Sequence, residues 1–321
     1  MATLTMRPYK GETDLQPIVD LLNACEAVDR EDNYHTVAGL QLGLTSPNVD
    51  PDRDIRLWHN ESGQLIAFGQ VWLPDQFVDE VVDGYLSFRV HPTARHRGLE
   101  QEIIAWAETR LRVAGQEHAL PAKLAVSCRD YQRNRIQLYE AAGFVYERSF
   151  LRMKRSLSEP IPTPVLPEGF TLISGQEIDV AAWVEMHNQT FIDHWNFHPL
   201  TIVQAEHWLT DPTYRPELDL VAVAPDGTYA AFCYNSIDPD DNLHRKCSEG
   251  WVGMLGTRRG FRRLGLGRAM LLSGLHRLKA AGMDTAFLGV DTENPNQAYA
   301  LYESTGFRKV YSSFSYAKSI A

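Results

Sequence analysis

Apolar positions recur along this chain at two different spacings, and the second half shows their order most clearly. Between residues 178 and 190, Val180, Trp183, Val184 and His187 fall near one helical face. A shorter helix is predicted over 202–209. Residues 218–237, LDLVAVAPDGTYAAFCYNSI, read as two apolar strands joined through Pro225, Asp226 and Gly227, the pattern of a hairpin. A strand is predicted over 251–256. Leu271, Leu275 and Leu278 then stand at core spacing on a helix over 266–281. A buried strand follows over 286–290, then a helix over 295–304 closed by Gly306, and a final strand pair over 307–310 and 313–317. Strands with helices between them predict an α/β domain, or an α+β domain with a mixed sheet.

The order is written twice. Asp14 and Asn23 recur as Asp179 and Asn188, 165 residues on. Gly63, Ala67 and Phe68 recur as Gly227, Ala231 and Phe232, at an offset of 164. Gly98 and the pair Ala114 and Gly115 recur as Gly265 and the pair Ala281 and Gly282, at 167. Leu138, Tyr139, Glu140, Gly143 and Phe144 recur as Leu301, Tyr302, Glu303, Gly306 and Phe307, at 163. An ordered set drifting by so few residues marks two copies of one domain. Between them, SLSEPIPTPVLPEG carries Pro160, Pro162, Pro164 and Pro167, which removes backbone donors and favours an extended connector. The expected division is a first domain over 1–156, a linker over 157–166 and a second domain over 167–321.

Composition narrows the class. A chain of 321 residues suits two domains, and 44% apolar with 22% charged residues is the make-up of an ordinary folded protein. Lys plus Arg number 31 against 41 Asp plus Glu, a net charge of -10, which argues against a nucleic-acid binder and a polybasic membrane anchor. Cys25, Cys128, Cys233 and Cys247 form no C-x-x-C pair, and His187, His194, His198 and His207 form no H-E-x-x-H, so no metal is expected. With no run of 18 apolar residues and no basic, hydrophobic leader, a cytoplasmic protein with no membrane contact is expected.

The chemistry enters at RRLGLG, residues 262–267, placed between a predicted strand and a predicted helix. Successive N–H groups of such a turn, running into the free N–H groups of a first helical turn, make an anion cradle. Gly265 and Gly267 let a phosphate approach the main chain, and Arg259, Arg262, Arg263 and Arg268 raise the local potential. The plainer alternative is a helix start with a solvated basic face. A P-loop would need Gly-Lys followed by Ser or Thr, and a dinucleotide fingerprint a third Gly or Ala where Met270 stands; neither fits.

R-x-x-G-x-G after a strand is followed, 27 positions beyond Gly267, by Asn294, Pro295, Ala298, Leu301, Tyr302, Glu303, Gly306 and Phe307. The joint pattern resembles the GNAT superfamily of acyl-CoA-dependent N-acyltransferases, and the duplicated layout its tandem members, the mycothiol synthases among them. The resemblance implies two tandem GNAT-like domains using acetyl-CoA as cosubstrate, with no metal. It implies that Arg262, Arg263, Leu264, Gly265, Leu266, Gly267 and Arg268 hold the coenzyme A pyrophosphate. Main-chain groups of Met254, Leu255 and Gly256 would hold the pantetheine arm and thioester carbonyl. Tyr302 is the implied general acid for the departing thiolate, its alternative being an aromatic that packs the last helix. Glu249, just before the central strand, is the candidate base, against a solvated Glu at a strand edge. Asp291 and Glu293 have capping or surface readings. Asn294 either caps the next helix, with Pro295 in its first turn, or touches the cofactor. His194, Trp195, Phe197 and His198, in the segment that roofs the acceptor site in such domains, are candidates for substrate contact, against plain packing.

The copies differ where it matters. The first reads R-H-R-G-L-E over 95–100, so Glu100 sets a carboxylate where the second copy has Gly267. Tyr139 survives, but CRDYQRN, residues 128–134, lacks the Asn-Pro of the second copy. The first domain is therefore expected to be degenerate and the second catalytic, acting on a small-molecule amine. A non-catalytic acyl-CoA sensor is the main alternative, and nucleotide binding through the Arg-rich stretch 258–268 a weaker one. The duplication is compatible with a monomer.

Overall fold

Period-two burial builds the sheet of the first unit. Its elements, in order, are β1 (Thr5–Pro8), α1 (Leu15–Asp29), α2 (Val37–Leu44), α3 (Pro51–Asp54), β2 (Ile55–His59), β3 (Leu65–Trp72), β4 (Val82–Val90), α4 (Leu99–His118), β5 (Ala122–Arg129), α5 (Arg133–Ala141) and β6 (Val145–Ser156). The computed structural model describes residues 4–294, 296 and 298–320. Strands β1 to β5 lie side by side in sequence order, antiparallel except for the parallel pair β4–β5. Along β4, Val82, Leu86, Phe88 and Val90 are buried and pack with Ile103, Ile104 and Leu111 of α4. Leu57 and Phe68 face the other way, into a cluster with Leu15, Ile18 and Leu22 of α1. A helix on each face leaves this sheet with two cores.

The second unit repeats the plan: β7 (Thr171–Ser174), α6 (Val180–Phe191), α7 (Ile202–Trp208), β8 (Asp219–Val223), β9 (Tyr229–Ser236), α8 (Pro239–Arg245), β10 (Glu249–Thr257), α9 (Leu266–Ala280), β11 (Thr285–Asp291), α10 (Ala298–Ser304) and β12 (Arg308–Ile320). Its strands run β6-β11-β10-β9-β8-β7, with β10 and β11 parallel. The predicted hairpin is β8–β9, turning through Gly227 at φ +87°. Leu271, Leu275 and Leu278 of α9 are buried against Val252, Ala286 and Leu288. On the opposite face Trp183, Val184 and Met186 of α6 meet Val221 and Phe232.

Four details differ from the sequence expectation. The units divide within β6, at Arg148 and Ser149, and the stretch from Phe314 belongs with the first unit. The reason is strand length: β6 continues past its copy, and Phe150 to Ser156 pair with Asp291 to Thr285 of β11. The Pro-rich run 157–166 is not a free linker either, since Leu157, Ile161 and Leu166 pack on the core of the second unit. The expected final strand pair is one continuous strand, β12, and among the described residues the helix after β11 begins at Ala298.

Candidate active site

The site grows from a fork in the sheet of the second unit. β10 and β11 pair from Glu249–Thr285 to Val252–Leu288 and then part. β10 stays with β9 as far as Thr257, and β11 stays with β6 as far as Asp291. A register shift between Val252 and Met254 marks a bulge that turns β10 away from its neighbour. Beyond the fork, the β10 main chain at Leu255, Gly256 and Thr257, paired with β9 but no longer with β11, forms one wall of a cleft of about 330 Å³. Gly256 is required for close approach: a Cβ there would collide with Thr190 on α6.

The loop from β10 to α9 makes the second wall. Arg263 stands at φ +67° and Gly265 at φ +88°, left-handed positions that curl the chain so that Gly265 caps α9. The first amides of the helix have no intrahelical acceptor, and Gly265, Leu266, Gly267 and Arg268 all border the cleft. This is an anion cradle: N–H groups with a helix dipole behind them.

The arginines divide into two kinds. Arg262 is a brace. Its Nε donates to Thr257 O at 3.2 Å, and its terminal nitrogens to Asp193 at 3.1 Å and Thr190 O at 3.0 Å, tying loop, strand end and helix end together. Arg259 also pairs with Asp193, and Arg258 with Glu185. Hydrogen bonds from Arg259, then Arg262, lower the Asp193 pKa to about 2. Arg263 and Arg268 have no carboxylate partner among the described residues, and Arg268 donates to Ser304 Oγ at 2.9 Å. These two cations, not Arg262, are available to a bound anion.

Tyr302, on α10, closes the cleft near the fork. It is 7% exposed, and burial, with Cys233 nearby, raises its pKa far above the ordinary phenol value. Its hydroxyl is therefore held protonated, and no described residue accepts its hydrogen bond. Asn294 also borders the cleft; its Oδ1 accepts from Asn296 N–H at 2.9 Å, the local turn expected of a cap. Pro295 lies outside the described residues.

The remaining expected residues are spread out. His194 borders the cleft, whereas Trp195, Phe197 and His198 do not. Trp195 instead lies 5.9 Å, ring to ring, from Phe150 on β6. Leu264 is exposed, and the Met254 side chain packs with the α6 cluster. Glu249 sits at the closed end of the fork, held by Arg245 at 2.6 Å, away from the cleft lining. Sequence reasoning missed Asp193, Thr190 and Thr257; the one available signal was the acidic residue at the end of a helix preceding an Arg-rich loop. Among the described residues, no group of three or more His, Cys, Asp or Glu is placed to hold a metal.

The first unit contains the same frame with different contents. β4 and β5 pair from Val82–Ala122 to Tyr85–Ala125 and part. The loop repeats its left-handed residues at His96, φ +61°, and Gly98, φ +92°. The brace repeats too: Arg95 Nε donates to Val90 O at 2.9 Å and the guanidinium clasps Asp29 at 2.6 Å and 2.8 Å. The loop again borders a cleft of about 330 Å³, but it carries a carboxylate. Glu100, 8% exposed, turns its Oε1 into the loop and accepts from His96 N–H at 3.0 Å, while Oε2 is buried with no partner among the described residues. Tyr139 is likewise committed, donating to Ser127 O at 3.3 Å, with its pKa raised by burial to about 12.

A fork, a Gly-capped helix and a buried tyrosine, present twice, define an acyl-CoA transferase frame, and comparison with known proteins agrees. A model described as the Acetyltransferase (GNAT) family matches residues 180–307. The chain is 31% identical to a mycothiol acetyltransferase of Thermobispora bispora, over 95% of this chain and 97% of that one. It is similar to the structure of a GCN5-related N-acetyltransferase from Sphaerobacter thermophilus, with TM-score 0.72 and 23% identity over 99% of this chain and 96% of that one. It is also similar to a tandem GNAT protein from the clavulanic acid biosynthesis pathway, with TM-score 0.75 and 14% identity over 99% of both chains. The chain belongs to the GNAT acetyltransferase family. It is an N-acetyltransferase built from two GNAT-like domains in tandem, and proteins of this fold use acyl-CoA.

Proposed function

We propose that the second unit transfers an acetyl group from acetyl-CoA to the primary amine of a small molecule, and that the first unit turns over nothing. The observation that carries this reading is the contrast between the loops: backbone amides bordering a cleft at Gly265–Arg268, against Glu100 folded into the equivalent loop. The match to the family model also falls on the second copy. The residues fit the cosubstrate. Amides of the loop, with Arg263 and Arg268, would receive the pyrophosphate, and the β11-facing main-chain edge from Met254 to Gly256 the pantetheine arm. Thr190 Oγ1, buried beside that strand with no partner among the described residues, is a further polar group suited to the arm.

The chemistry needs a neutral amine, a fixed carbonyl and a stabilised leaving sulfur. As the nitrogen attacks the carbonyl carbon, the C–N bond forms and the C–S bond breaks with its electron pair on sulfur. Tyr302, kept protonated by burial, donates its hydrogen bond to that sulfur. The proton shed by the nitrogen balances the one the thiolate takes up. No role as base is assigned to Glu249, whose carboxylate is engaged by Arg245.

Calorimetric titration with acetyl-CoA tests the asymmetry: one molecule per chain is expected, and two equally tight sites overturn it. Thiol release against a panel of amino sugars, aminoglycosides, amino acids and peptides, with an amine of the mycothiol type suggested by the relatives, tests the transfer. Tight cofactor binding with no thiol release against the whole panel would overturn the small-amine acceptor.

A further inference from the structure

We propose that Arg152 reads an anionic group on the acceptor, so that the preferred substrate is an amine that also carries a carboxylate. The proposal rests on the reading above that the thioester lies along β10 at the bulge.

Only one face of the fork is open to an attacking amine. Val252 and Leu288, the last pair before the strands part, point into the core formed with Leu266 and Met270 of α9. Side chains alternate along a strand, so Trp251 and Phe287 emerge on the other face. They are cross-strand partners and stack with ring centroids 5.1 Å apart, both half-buried.

Arg152 lies on this pair. It belongs to β6, where its neighbour Met153 is fully buried on the α9 side, so Arg152 emerges on the face of Trp251. Its Cα is opposite Gly289, the first residue of β11 beyond the last β10–β11 pair. Gly289 is exposed, and a Cβ there would have no heavy atom within 4 Å. The arginine side chain crosses β11 through that gap and sets its guanidinium carbon 4.0 Å from the centre of the Trp251 ring. Its Nε donates to Tyr311 Oη at 3.3 Å, which fixes the plane of the group.

Arg152 joins a flat aromatic seat to a free charge. Arg245, Arg258, Arg259 and Arg262 each pair with a carboxylate of this unit. Arg152 pairs with none among the described residues, and its terminal nitrogens donate to no described acceptor. A guanidinium stacked on an indole keeps its charge and its planar fork, the geometry that takes a carboxylate through two parallel hydrogen bonds. Two residues along β6 on the same face, Phe150 meets Trp195, so the surface around the cation is aromatic. A cation on an aromatic floor at the mouth of the fork suits an amino acid-like acceptor better than a polycationic one.

The test compares phenylalanine with phenethylamine, which differ by the carboxylate alone, using steady-state thiol release by the full-length protein. The native enzyme should favour phenylalanine through KM. Arg152→Met should raise KM for phenylalanine roughly 10- to 100-fold, the worth of a charged double hydrogen bond, with kcat little changed. Phenethylamine should be unaffected, and Arg152→Lys should recover only part of the loss. Calorimetric binding of N-acetylphenylalanine in the presence of coenzyme A gives a second readout, expected to fall by the same ratio in Arg152→Met. Equal use of both amines by the native enzyme, or equal losses for both in Arg152→Met, overturns the inference and leaves the transfer reading standing. No thiol release with any amine of the wider panel, despite cofactor binding, overturns both.

Discussion

The two clefts share a backbone and differ in one side chain at the decisive point. Each has a fork between parallel strands, a left-handed pair of loop residues, an arginine that binds the strand end, and an aspartate that clasps the arginine. Gly267 brings no side chain to the second cradle, whereas Glu100 sets a carboxylate on the loop of the first, at the edge of a cleft of equal volume, about 330 Å³. The tyrosines follow suit, Tyr302 with its hydroxyl uncommitted and Tyr139 bonded to Ser127 O. The comparison teaches that one loop conformation, with the same brace and the same left-handed residues, is built around different side chains at the cradle.

The largest expected effect comes from moving the plug. Gly267→Glu should lower acetyl-CoA affinity by about 1000-fold or more in calorimetry, because a desolvated carboxylate would face the pyrophosphate. Folding should survive: a Cβ at Gly267 would sit 3.5 Å from Thr257 Oγ1, an ordinary contact, so the melting temperature is the control. The reciprocal Glu100→Gly should add a second, weaker binding event. If Gly267→Glu binds normally, the loop is not the pyrophosphate site.

The tyrosines come next. Tyr302→Phe should reduce kcat by about 10- to 1000-fold with little change in cofactor affinity. Tyr139→Phe should leave turnover unchanged and lower stability by about 1 kcal/mol through the lost bond to Ser127 O. The reverse outcome would exchange the roles of the two units.

The smallest effect concerns a pair of buried aspartates at equivalent places, Asp54 and Asp219. Asp54 is neutralised by Arg110 at 2.7 Å. Among the described residues Asp219 has only the Tyr214 hydroxyl, at 3.2 Å, and burial raises its pKa from 3.8 to about 6. The folded state therefore holds this proton more tightly than the unfolded chain. The resulting stabilisation is present below about pH 4 and is lost as pH rises through about 6. Denaturant titrations at pH 4 and pH 7 should show a contribution of about 2 to 3 kcal/mol from this group, absent in Asp219→Asn.

Much of the fold was legible because its signals are local. Helix α9 announces itself by Leu271, Leu275 and Leu278, the β8–β9 hairpin by Pro225, Asp226 and Gly227, and the duplication by recurring pairs such as Tyr139 and Tyr302. The cradle was legible for the same reason: Gly265 at φ +88° is a property of a few consecutive residues. The unit boundary was not, since the length of β6 is set by its pairing with β11, 129 residues away at Ser156 and Thr285 and 141 at Phe150 and Asp291.

Sequence alone determined the family frame, the Gly-rich loop and the difference between Glu100 and Gly267, because each rests on residue types at short spacing. Tertiary structure decided what the side chains do. It made the Arg262 side chain a brace, because Asp193, in the turn after α6 and 69 residues away, takes its guanidinium. It laid Arg152 on Trp251, 99 residues away in the chain. Charge pairing across such distances depends on which strands lie side by side. Local pattern carries no record of that, so the partner of a charged side chain is settled only when the sheet is assembled.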